Sequence, residues 1–130
     1  MIKNSLGKST DIREATGGPV SMVNAAQVYR IATIQAPGIG RWEISGQITG
    51  AYGAEQANLK VGISTTDASH AGLTMGKDLM QFAQSAGMAG ASILPFTVNV
   101  TSDSTNFYLN AASNTTNYSN IYGFLRMKRI

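Results

Sequence analysis

The sequence predicts an all-β, antiparallel two-sheet sandwich, and three observations lead there. The clearest stretches, residues 41–49 and 120–130, alternate with period two and are rich in branched and aromatic side chains. Turn-forming residues interrupt the chain at close, regular spacing. Charged residues make up only 13% of the 130, against 43% hydrophobic, so polarity comes mainly from Ser, Thr, Asn, Gln and Gly. Soluble domains usually carry about 25% charged residues, and the difference suits a turn-rich β protein with a hydrogen-bonding surface. This length makes one domain with a single modest core.

The last stretch, NIYGFLRMKRI, organises the rest. Ile121, Gly123, Leu125 and Met127 fall on one face, and Tyr122, Phe124, Arg126, Lys128 and Ile130 on the other. Large apolar groups on both faces near its start place this strand centrally in a sheet. One face then meets the core and the other a partner, most simply a second copy of the chain.

Residues 1–18 read differently. Lys3, Lys8, Asp11, Arg13 and Glu14 surround sparse apolar residues at Ile2, Leu6 and Ile12. Asp11 and Glu14 suit the cap of one helical turn, stopped by Gly17-Gly18-Pro19. The segment is either a floppy terminus or an arm that orders on a neighbouring subunit or larger assembly. In the second reading Ile2, Leu6 and Ile12 form the anchor, and the sandwich spans 19–130. An initial Met1 fits a complete small gene product.

Along the sandwich, residues 20–25 give a weak first strand and 27–35 a clearer one. There Val28, Ala32 and Ile34 oppose Tyr29, Ile31 and Thr33, until Ala36-Pro37-Gly38 ends the strand. Residues 41–49 send Trp42, Ile44, Gly46 and Ile48 inward and Arg41, Glu43, Ser45 and Gln47 outward. A loop over 50–57 precedes Leu59, Val61 and Ile63, whose strand closes in a polar turn over 64–70. Residues 73–91 admit two readings. Leu79, Phe82, Ala83 and Ala86 have helical spacing, while Gly72, Gly76, Gly87 and Gly90 favour a strand near 72–75 and a long loop with one helical turn. Phe96, Val98 and Val100 then share a face, and a turn over 102–105 follows. Phe107, Leu109 and Ala111 oppose Tyr108 and Asn110, and a polar loop over 113–119 leads to the last strand.

That makes about eight strands, as in a jelly roll. The expected core is Trp42, Ile44, Ile48, Leu59, Val61, Ile63, Phe96, Val98, Val100, Phe107, Leu109, Leu125 and Met127, each on the more apolar face of its strand. Tyr29, Tyr108, Tyr122 and Phe124 fall opposite it. If all four share one sheet they form a patch larger than soluble monomers keep, hence an oligomer interface.

Motifs for chemistry are nearly absent. Gly7-Lys8-Ser9-Thr10 ends like a phosphate loop, but Ile2 occupies the place of the earlier glycine and no apolar strand precedes it. Gly38-Ile39-Gly40 begins a dinucleotide pattern that Glu43 breaks. His70 is the one histidine and sits in a polar turn, where solvation is its ordinary state. Without cysteine there is neither a disulfide framework nor a thiolate metal site. Asp67, Asp78 and Asp103 are dispersed, although a threefold axis can build an ion site from one residue per protomer. Seven carboxylates include no pair selected by spacing for glycoside hydrolysis. The expectation is no catalytic residue, no cofactor and no metal ligand. A net charge of +3 without a Lys/Arg cluster points away from nucleic acid. No apolar run reaches the roughly 18 residues of a membrane span, and 1–18 is too polar for a secretory signal. Asn99, Asn114 and Asn117 open N-x-Ser/Thr sequons, which carry meaning only in a secreted protein.

The run Pro37-Gly38, Arg41-Trp42-Glu43-Ile44-Ser45-Gly46, then Pro95-Phe96-Thr97-Val98, Asn106-Phe107-Tyr108-Leu109 and Tyr122-Gly123 to Arg129 resembles the tumour-necrosis-factor-like (TNF-like) jelly rolls of bacteriophage virion proteins. The resemblance covers about residues 28–130 and leaves the N-terminal segment unmatched. It implies a threefold homotrimer with one sheet of each protomer turned to the axis. It also implies a non-enzymatic structural role in the virion, as capsid decoration or head fibre, with a major capsid protein or other virion protein as partner. The alternative is the receptor-binding tip of a tail fibre, whose loops grip a host surface glycan or protein. A small sugar-directed enzyme or lectin is the third class.

Overall fold

The computed structural model describes residues 12–24, 27–52, 58–68, 79–84, 88–113 and 118–130. Among them run eight strands: β1 (Ile12–Met22), β2 (Val28–Gln35), β3 (Gly40–Tyr52), β4 (Asn58–Ser64), β5 (Leu79–Gln84), β6 (Met88–Val100), β7 (Asn106–Ser113) and β8 (Tyr118–Arg129). They build two four-stranded antiparallel sheets, sheet one in the order β1-β8-β3-β6 and sheet two in the order β2-β7-β4-β5. This connectivity is a jelly roll. As its two apolar faces require, β8 is central, between β1 and β3.

The inner faces make one core. Trp42, Ile44 and Ile48 of β3 and Ile121, Leu125 and Met127 of β8 are buried against Ile34, Val61, Ile63 and Leu109 of sheet two. Sheet one keeps glycines where sheet two's side chains enter. A Cβ on Gly123 would stand 2.8 Å from both Ile31 Cγ2 and Leu109 Cδ2. At one end Arg129 closes the core, its guanidinium 4.3 Å from the centre of the Trp42 ring, while Trp42 Nε1 donates to Gly38 O at 2.9 Å. Gly40 fits this end twice over. Its φ of 141° disfavours a side chain, and a Cβ would meet Arg129 Nη1 at 2.6 Å.

Most of the expected core is buried. Phe96 and Val98 are half-buried on edge strand β6, and the Leu59 side chain lies outside the described residues. Met22, Ile31 and Ile93 join the core unanticipated, and Ile121 is buried on the face it shares with Leu125 and Met127. Three expectations need correction. Residues 12–18 belong to β1 and not to an arm: Ile12 pairs with Lys128 and Gly17 with Gly123, so the sandwich starts by Ile12 rather than at 19. The ladder to the central strand supplies what the sparse apolar pattern hid, since an edge strand needs only one buried face. The residues with helical spacing at 79–84 are strand β5, paired with β4 from Asn58↔Gln84 to Ile63↔Leu79. The strand expected at 72–75 lies outside the described residues.

Tyr29 is the third correction. A bulge between Arg30 and Ala32 reverses the phase of β2. Ile31 and Ala32 are both buried, and Tyr29, paired with buried Ala111, packs against the core instead of opposite it.

Candidate interaction surface

The outer face of sheet one follows from the register. Beside Ile12 lie Lys128 and then Glu43, and beside Glu14 lie Arg126 and Ser45. The next rows are Thr16, Phe124 and Gln47, then Tyr122 and Thr49. Phe124 is half-buried and Tyr122 is 49% exposed, forming an aromatic stripe between hydroxyl and amide groups. Arg126 Nε stands 3.6 Å from Glu14 Oε2, and Glu43 is the cross-strand neighbour of Lys128. Arg126 and Lys128 thus each have a carboxylate neighbour from a flanking strand, which offsets the like-charge crowding they would otherwise bring. At the β6 edge a bulge leaves Leu94 exposed beside Pro95, whose missing N–H blunts that edge for strand addition.

Part of sheet two's outer face is covered by the turn over 65–68. Asn110 is fully buried there; its Nδ2 donates to Thr66 O at 2.8 Å and its Oδ1 accepts from the Ala68 N–H at 3.1 Å. Ser64 Oγ accepts from the Thr66 N–H at 2.9 Å. Outside them Arg30 pairs with Asp67 at 3.0 Å and lies 5.9 Å from the centre of the Tyr108 ring. A polar residue at an outward position, Asn110, therefore seals the turn over 65–68 onto the sheet.

The aromatic residues expected at an oligomer interface accordingly separate. Tyr122 and Phe124 share the open face of sheet one. Tyr108 lies on the opposite side of the sandwich, half-buried beneath Arg30, and Tyr29 faces inward with its hydroxyl accepting from the Asn24 N–H at 2.9 Å. The condition that all four lie on one sheet is not met. Of the anchor residues, Ile12 is on sheet one's outer face, and Ile2 and Leu6 lie outside the described residues, as do the 7–10 motif, His70 and Asp78. Sequence reasoning overlooked Ile12's place on this face; it expected the polar turn after β4 but not that the turn docks on sheet two, for which the asparagine inside an apolar strand was the one hint. Among the described residues no three His, Cys, Asp or Glu side chains gather as metal ligands, and no helix is long and apolar enough to cross a membrane.

No family model matches the chain, and no curated protein matches it. Its similarity is to solved structures. PRD1 vertex protein P5 superposes with a TM-score of 0.60 at 11% identity, over 95% of this chain and 99% of that one. A chain in the structure of infectious bursal disease virus Gx strain matches with a TM-score of 0.54 at 10% identity, over 91% of this chain and 32% of that longer one. Eiger TNF from S. frugiperda gives 0.43 at 7% identity, over 92% of this chain and 93% of that one, too loose to argue from. At these identities the likeness is one of fold. It is the jelly roll that the strand order defines, with viral capsid and vertex proteins and TNF-like domains as its structural neighbours.

Proposed function

We propose that this chain is a non-enzymatic structural virion protein that works as a homotrimer, decorating a phage capsid or building a head fibre. The observation that carries the reading is the end-to-end correspondence with PRD1 vertex protein P5, 95% of one chain against 99% of the other. The trimer rests on sheet one. Tyr122 and Phe124 form its exposed stripe, and fully burying one large apolar side chain is worth about 1.5–3 kcal/mol. Two acids, Glu14 and Glu43, stand beside Arg126 and Lys128, which limits the like charge a second copy meets there. A repeated contact of this kind closes into a ring when the rotation allows, here around a threefold axis. The partners are then the chain itself and a major capsid protein or other virion protein.

Gold-labelled antibody against the chain, imaged on purified particles, tests the role: label over the shell is expected. Label only at tail ends would replace decoration by a receptor-binding tip, and unlabelled particles would end the virion reading. Light scattering tests the trimer. The wild type should have three times the protomer mass and the Tyr122→Ser/Phe124→Ser variant should not. A wild type that is monomeric at micromolar concentration refutes the trimer, and a trimeric variant moves the interface off sheet one.

A further inference from the structure

Resting on that virion reading, we infer that the protein docks on an acidic protein surface of the particle through one end of the sandwich, where β1 begins and β8 stops. This end is laced into one surface. The Ile130 N–H donates to Arg41 O at 3.2 Å, and the Ala36 N–H donates to Thr105 O at 2.8 Å, joining the 36–39 and 101–105 turns to the chain's last residue.

Two observations mark it. Three isoleucines stand out from it, Ile12 at 42%, Ile39 at 54% and Ile130 at 62% exposure. The described part of the opposite end exposes Val23 as its large apolar residue. Around the isoleucines lie Arg13, Arg41, Lys128 and Arg129. Two of these are held in place: Arg13 Nη1 donates to Gln35 O at 3.1 Å, and Arg129 rests on Trp42. The acids at this end are fewer. Glu43 stands beside Lys128 and Asp103 lies in the β6–β7 turn, while Glu14 is engaged by Arg126.

Isoleucine tips among preorganised guanidinium groups match a partner offering shallow apolar contacts within an acidic field. Arginine is the cation most favoured in such interfaces. In a cyclic trimer all three copies of this end lie on the same side, so one docked copy raises the effective concentration of the other two.

The test uses the full chain and particles stripped of it. The wild type should co-sediment with the particles. An Ile39→Asp/Arg41→Glu variant should bind at least about tenfold more weakly, and a Val23→Asp/Lys60→Glu variant, changed at the opposite end, within about twofold of wild type. Unchanged Trp42 emission shows that each variant is folded. Equal binding by the first variant, or equal loss in the second, overturns the docking end while leaving the virion role intact. If the wild type does not bind, and labelled antibody finds no chain on native particles, the virion reading itself has failed. Wild-type binding to phosphatidylserine vesicles, lost in the first variant, would overturn the protein partner in favour of a lipid surface.

Discussion

Gly123→Ala should destabilise the protein although alanine is the smallest possible addition. Gly123 sits mid-strand on central β8 and faces sheet two, where a new Cβ would lie 2.8 Å from Ile31 Cγ2, 2.8 Å from Leu109 Cδ2 and 3.4 Å from Ala32 Cβ. Carbon contacts are most favourable at about 3.5–4.0 Å, so both methyl groups would have to retreat by roughly 0.7 Å or more. Both belong to buried side chains inside the core, and overfilling such a site costs about 1–3 kcal/mol. Replacing glycine returns about 0.5–1 kcal/mol of backbone entropy, leaving a net loss of about 1 kcal/mol. Urea unfolding followed by Trp42 emission, at fixed protomer concentration, measures it. Leu109→Ala removes one of the two obstructing methyl groups. It should cost about 2–5 kcal/mol alone, and the double variant should lose less than the sum by at least about 0.5 kcal/mol. A Gly123→Ala protein as stable as wild type, or strict additivity with Leu109→Ala, would refute this account of how closely the sheets approach.

Ile44→Ala should cost about 2–5 kcal/mol in the same assay, and a loss below about 0.5 kcal/mol would mean that the register of β3 is wrong. Asn110→Ala leaves Thr66 O and the Ala68 N–H without their partner and should cost about 1–3 kcal/mol, with the 65–68 turn gaining early hydrogen exchange; unchanged protection there would separate the turn from Asn110. Deleting residues 1–18 removes the ladder from Ile12↔Lys128 to Gly17↔Gly123 and should lower the melting temperature clearly, so an unchanged melting temperature would show β1 to be dispensable.

Strict alternation made much of the fold legible. Trp42, Ile44 and Ile48, and likewise Leu125 and Met127, were assignable because each strand buries one face and shifts by no residue within the run. The sequence failed where the backbone itself changes phase. One extra residue near Ile31 turned Tyr29 inward, and a bulge reaches the eye only as two neighbouring apolar residues. The β1 strand failed for another reason. Glu14, Thr16 and the Gly17-Gly18-Pro19 run look like a terminus, and only the pairing with β8, distant in sequence, makes them a strand. In the candidate surface, Tyr122 and Phe124 were readable from parity alone. That Tyr108 belongs to the far side was not, because parity separates inside from outside and says nothing of which sheet a strand joins.

The same asymmetry bears on which face would receive a second copy in the proposed trimer. Both sheets turn polar residues outward, and among the described residues the 65–68 turn lies over part of sheet two's face. Self-association through sheet two would have to displace the 65–68 turn. That leaves the two ends of a buried Asn110 amide unpartnered at about 1–3 kcal/mol each, before any contact forms. Sheet one asks far less. The ion pair of Glu14 with Arg126 is half-exposed, and such a pair is worth at most about 1 kcal/mol. A partner copy can also take over either charge. Tyr122 already stands half out of the surface, so burial there is mostly gain. In the proposed trimer an asparagine in the middle of β7 thus counts beside the aromatic residues of β8: it holds the 65–68 turn over part of sheet two, which favours sheet one as the interface.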